Sequence, residues 1–123
     1  MNYSQNVNTY IRYFLFYLSF IKSYHWNTSV YENHIASDTL HTNLQKLVDR
    51  FIEVFIGETG RRNIMFKNNS YESEVNDEIM LDTTVGFKDW LRVLKLPNVL
   101  GNIRDEMIAE INIFLYLSKM AKS

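Results

Sequence analysis

The chain has 123 residues, a formal net charge of −1, 46% hydrophobic and 15% aromatic residues. That length suits one domain over residues 1–123, and so apolar a composition excludes a disordered chain. The near-neutral charge, with the first basic residue only at Arg12, leaves no strong nucleic-acid signal, and the lack of cysteine excludes disulfides and thiolate metal ligands.

In chain order, Asn6 to Trp26 predicts a first helix. Val7, Tyr10, Ile11, Phe14, Leu18, Ile21 and His25 recur at steps of three and four. Phe16, Tyr17 and Phe20 widen the apolar surface, which suits contacts with both its own bundle and a neighbouring subunit. The run Tyr10 to Ile21 is too short to cross a bilayer core of about 30 Å. It has neither the basic flank nor the small-residue cleavage site of a signal peptide. A cytoplasmic protein with no membrane partner is expected.

Asn27-Thr28-Ser29 predicts a turn, and helix two follows from about Val30 to Ile56, with Gly57 as its stop and Gly60 as a second break. Leu40, Leu44, Leu47, Val48, Phe51 and Phe55 form its core stripe. Glu58 to Asp82 is unpatterned and acidic, with an exposed turn expected at Asn68-Asn69-Ser70, and reads as a solvated crossover. Thr84 is the expected cap of a short third helix to Leu96, with Val85, Trp90, Leu91 and Leu94 inward. Pro97 ends that helix or opens the fourth, Asn98 to Ala121. The expected class is therefore all-α: a four-helix bundle with one long crossover between helices two and three, which is the ferritin-like connectivity.

The residues that carry chemistry lie in and just before helix two. At about 100° per residue, Asp38 lies about 40°, Asp49 about 60° and Glu53 about 100° round the wheel from His34. All four share one face beside the leucine stripe. His34 and Glu53 are about 28 Å apart along the axis, so one chain cannot bring them to one ion. Two antiparallel copies can. His34 with Glu53, and Asp38 with Asp49, add to the same total, so one register about a two-fold axis makes both pairings and generates two sites. His25, at the end of the first helix, can supply a second imidazole, and Trp26 sits beside the site. Imidazole and carboxylate ligands suit iron, with manganese and zinc as competitors. His41 points toward the core side of helix two and reads as a flanking residue. Glu106 and Glu110 read as solvated surface near Arg104.

The motifs YHWN at Tyr24 to Asn27, H-x-x-x-D at His34 and Asp38, and D-x-x-x-E at Asp49 and Glu53 resemble the mini-ferritins, the Dps branch of the ferritin-like proteins. The resemblance implies an intersubunit ferroxidase site. His25, His34 and Asp38 of one chain would face Asp49 and Glu53 of its mate. It further implies Fe(II) oxidation by peroxide or dioxygen, protection against oxidative stress, and a homodimer that builds into a hollow iron-storing shell. The chain is shorter than members of that family and carries no basic tail for DNA. Its compactness equally suits a rival: a non-catalytic ferritin-like bundle with a degenerate site, acting as a structural or interaction protein. Abundant asparagine, isoleucine and tyrosine suit an AT-rich phage or viral genome, hence a bacterial or phage-infected cell.

Overall fold

The computed structural model describes residues 6–61, 64–65 and 72–121. Four helices make up its regular structure: α1 (Val7–Asn27), α2 (Tyr31–Thr59), α3 (Asp77–Val93) and α4 (Asn98–Ala121). No strand occurs among the described residues. The turn expected at Asn68-Asn69-Ser70 lies outside them.

Local chemistry sets the helix ends. Thr28 adopts an extended conformation that stops α1, and its hydroxyl oxygen accepts from Val30 N–H at 3.2 Å to tighten the link into α2. At the other end of α2, the helix runs through Gly57, the expected stop, to Thr59. Gly60 ends it instead, at φ 70°, with its N–H on Ile56 O at 2.7 Å. Only a residue without Cβ takes that left-handed conformation freely.

Helix α3 differs most from expectation. It starts at Asp77, not Thr84, and runs 17 residues. Asn76 Oδ1 accepts from Ile79 N–H at 2.8 Å, and Asp77 and Glu78 favour the positive end of the helix dipole. Thr84 is no cap. It is fully buried in mid-helix, sharing a 2.8 Å hydrogen bond with the Tyr17 hydroxyl. The inward face is Met80, Thr84, Phe87 and Leu91. Val85, expected inward, is 45% exposed, and Trp90 is only half-buried. After α3 ends at Val93, Pro97 opens α4, its carbonyl accepting from Gly101 N–H. Arg104 Nη1–H groups reach back to Leu91 O and Leu94 O at 2.9 and 3.0 Å, closing the end of α3.

The helices pack in the ring order α1, α2, α4, α3. Paired residues give their directions. His25 meets His34, and Phe14 meets Phe51, so α1 and α2 are antiparallel. Tyr24 meets Asp77 and Tyr10 meets Trp90, so α1 and α3 are antiparallel too. Asn43 meets Glu110 and Arg50 meets Glu106, so α2 and α4 are antiparallel. Those two contacts engage both glutamates with α2, while Arg104 instead holds Asp105 at 2.7 Å.

The core joins Phe14, Tyr17 and Ile21 of α1 to Leu44, Phe51 and Phe55 of α2, with Met80 and Leu91 of α3 and Leu100, Met107 and Ile111 of α4. Most of Tyr10 to Ile21 is spent on this core, although Tyr13, Leu15 and Phe16 remain exposed. No helix among the described residues is long and apolar enough to cross a membrane.

Candidate metal centre

The antiparallel pairing of α1 and α2 brings two of the expected ligands together at one end of the bundle. The His25 and His34 rings stack with centroids 3.9 Å apart and planes 15° from parallel. Each ring is tied to the other residue's backbone: His25 Nδ1 lies 2.8 Å from His34 O, and His34 Nδ1 lies 2.8 Å from His25 O. A carbonyl oxygen can only accept, so both Nδ1 atoms carry the proton and donate. With Nδ1 as the donor, it is Nε2 of each ring that can offer a lone pair to a metal. Metal-binding histidines commonly have one nitrogen tied to a carbonyl in this way, which fixes the ring and raises the basicity of the other nitrogen. His25 O lies in the last turn of α1, where carbonyls have no intrahelical partner, whereas His34 O lies in the first turn of α2 and accepts with its second lone pair.

Asp38 follows His34 by one turn. Its carboxylate is exposed and Lys22 Nζ lies 3.7 Å from Oδ1. With side-chain exposures of 38% and 55%, this pair is a weak, screened interaction, and a cation could displace the ammonium. Asp49 and Glu53 are both exposed, about three to four turns further along α2. Asp49 lines a groove of about 580 Å³ between α1 and α2, together with Leu15, Lys22, Trp26, His41 and Val48. His34 and Asp38 thus lie toward the start of α2, with His25 of α1 stacked on His34, and Asp49 and Glu53 lie toward the other end of α2. Among the described residues no three histidine, aspartate or glutamate side chains of one chain gather closely enough to hold an ion.

Three neighbours escaped the sequence reading. Ser37, fully buried, donates to His34 O at 3.1 Å and lies 3.4 Å from His25 Nδ1. Its position three residues after His34 was the available signal. Lys22, three residues before His25, was the second. The third is Asp77, whose carboxylate accepts from Tyr24 O–H at 2.7 Å and from Thr28 O–H at 3.1 Å, two residues that flank His25 in sequence. Only the packing of α3 on α1 brings it there. Burial of the ring, then the nearby Lys22 ammonium, lowers the pKa of His41, against a smaller pull from Asp38. His41 is therefore held toward its neutral form on the groove wall.

No curated protein and no solved structure matches this chain. One family profile does match, over residues 25–117, from His25 itself to the last turns of α4. That span covers all five expected ligands and most of the chain, so the protein belongs to DUF5856, a family of unknown function.

Proposed function

We propose that this protein is a Dps-like, ferritin-like iron-oxidising protein whose metal sites form across a two-fold dimer of α2. The observation that carries the reading is the histidine pair. Two imidazoles are fixed through Nδ1–H on backbone carbonyls, with both Nε2 lone pairs available, one turn from an exposed aspartate. His25, His34 and Asp38 of one chain, with the partner's Asp49 and the partner's Glu53, make a nitrogen and oxygen ligand set suited to Fe(II). Each ferrous ion gives up one electron to peroxide or dioxygen, and the carboxylates favour the ferric product by stabilising its higher charge. Zinc and manganese compete for the same ligands. If such dimers close into a hollow shell, the ferric product is stored inside it.

The ferritin-like connectivity is supported by the helix directions. The end of α2 lies beside the start of α1, where Met65 N–H meets Asn8 Oδ1 at 3.3 Å. The start of α3 lies at the opposite end of α1, where Asp77 meets Tyr24. The end of α2 and the start of α3 therefore lie at opposite ends of the bundle, as a long crossover of the ferritin-like kind requires.

The test is oxidation of ferrous ion by purified protein, compared with a His34→Ala/Asp49→Ala variant. The variant should lose the protein-dependent rate, and equal rates in the two proteins would sink the catalytic reading. One observation favours a second reading. The reciprocal histidine bonds also clasp the end of α1 to the start of α2, as a purely structural bundle would need. In that case His25→Gln lowers the melting temperature while Co(II) or Fe(II) binding is absent in the parent protein.

A further inference from the structure

Asn33 is the buried residue hardest to explain by packing. It is 1% exposed, in the first turn of α2, directly before His34. Consecutive residues lie about 100° apart round a helix, so Asn33 is turned into the bundle while His34 meets His25. Among the described residues, its Oδ1 is the one buried side-chain polar atom that no protein group satisfies. A buried acceptor without a donor costs stability. Leucine has the same branched outline and carries no such cost. What asparagine supplies instead is Nδ2–H, which donates to the Tyr24 hydroxyl oxygen.

That bond leads into a network. Tyr24 O–H donates in turn to Asp77 Oδ1 at 2.7 Å, and Thr28 O–H donates to the same oxygen at 3.1 Å. Tyr24 directly precedes His25, Thr28 caps the end of α1, and Asn33 directly precedes His34. The end of α1, the first turn of α2 and the first residue of α3 are therefore fastened to one another through neighbours of both histidines. Hydrogen bonds to an ionised carboxylate are the stronger kind, so Asp77 anchors the set. The histidine pair depends on such fastening. Each of its reciprocal bonds joins a ring on one helix to a carbonyl on the other at 2.8 Å, so parting the two helix ends by about 1 Å breaks both.

We infer that Asn33 and Asp77 are positioning residues for the metal site: through Tyr24 and Thr28 they hold the two imidazoles in the arrangement that presents Nε2, and the chain gives up stability at Asn33 to do so. The inference rests on the proposed metal site and deepens it, because it gives α3, which contributes no ligand, control over the geometry of the ligands.

The experiment follows three quantities: solvent exchange of the His25 and His34 Nδ1–H protons by NMR in EDTA, Co(II) affinity, and melting temperature. Asn33→Leu should melt at or above the parent temperature, yet exchange those protons faster and bind Co(II) about tenfold more weakly. Asp77→Ala should show the same two losses. Asp77→Asn, which keeps an acceptor oxygen for Tyr24 and Thr28, should restore most of the parent behaviour. Tyr17→Phe is the control for general destabilisation, since it breaks the Thr84 bond between α1 and α3 and leaves the network alone. It should lower the melting temperature with proton exchange and Co(II) affinity unchanged.

Parental exchange in both Asn33→Leu and Asp77→Ala, with Co(II) still bound by the parent, overturns the inference and leaves the metal site standing. Faster exchange in those variants, with no Co(II) bound even by the parent, does the reverse. A melting temperature for Asn33→Leu well below the parent's, or equal losses in Tyr17→Phe, also overturns the inference, because the effect is then ordinary loss of fold.

Discussion

Buried hydroxyl groups are the residues whose loss is easiest to foresee. Tyr17 is fully buried, and burial raises its pKa, opposed by the hydrogen bond it shares with Thr84. Tyr17→Phe strands the Thr84 hydroxyl in the core and should cost about 1–2 kcal/mol, read as a lower melting temperature. Tyr24 gives a pH dependence. Burial, with the Asp77 carboxylate beside it, pushes its pKa up from 10.0 to about 12. Between those values the unfolded chain releases the phenol proton and the folded chain keeps it, so stability falls as pH rises from 10 to 12. Thermal melts across that window should show a smaller loss in Tyr24→Phe than in the parent; identical slopes would rule out Tyr24 as the source. At the same scale, the five expected ligands could be read from side-chain type and spacing. Ser37 and Asp77 could not, because a serine or an aspartate means little until packing shows what it touches.

Among the helices, α3 is the one whose start depends on a single side chain. Asn76→Ala removes the cap on Ile79 N–H and should cost about 1 kcal/mol, with faster amide exchange confined to the first turn of α3. Unchanged protection there would mean that Tyr24 and Thr28, through Asp77, already hold the turn. This helix also marks the limit of periodicity. The stripe of α2 was legible because large apolar residues recur on a mostly polar background. In α3 the inward face includes Thr84, while the apolar Val85 beside it points outward, so the pattern suggested a start seven residues late. Gly57 and Gly60 show the same limit at the end of α2. Composition offers two candidate stops, and only the left-handed backbone at Gly60 distinguishes them.

For the whole molecule, the proposed site makes a strict demand: ligands must come from two chains. The His34→Ala and Asp49→Ala single variants should each be inactive alone, because each spoils both sites of its own homodimer. Mixed after reversible dissociation, they should recover about a quarter of the parent Fe(II)-oxidation rate. Half of the random dimers are then mixed, and each of those has one intact site of two. No recovery, with mixed dimers present by mass spectrometry, would mean that the two residues do not act across one interface.

The sequence by itself determined the all-helical class, the core stripe of α2, and the symmetric spacing along α2, because these depend on the 3.6-residue period and on side-chain type. Tertiary structure alone decided what those residues meet. Stacking of His25 on His34, with each Nδ1–H on the other's carbonyl, arises only because α1 and α2 fold back antiparallel. Burial of Thr84 and the place of Asp77 beside Tyr24 follow from the packing of α3 on α1. Helical periodicity acts over a few residues, whereas these contacts join residues from nine to 67 positions apart.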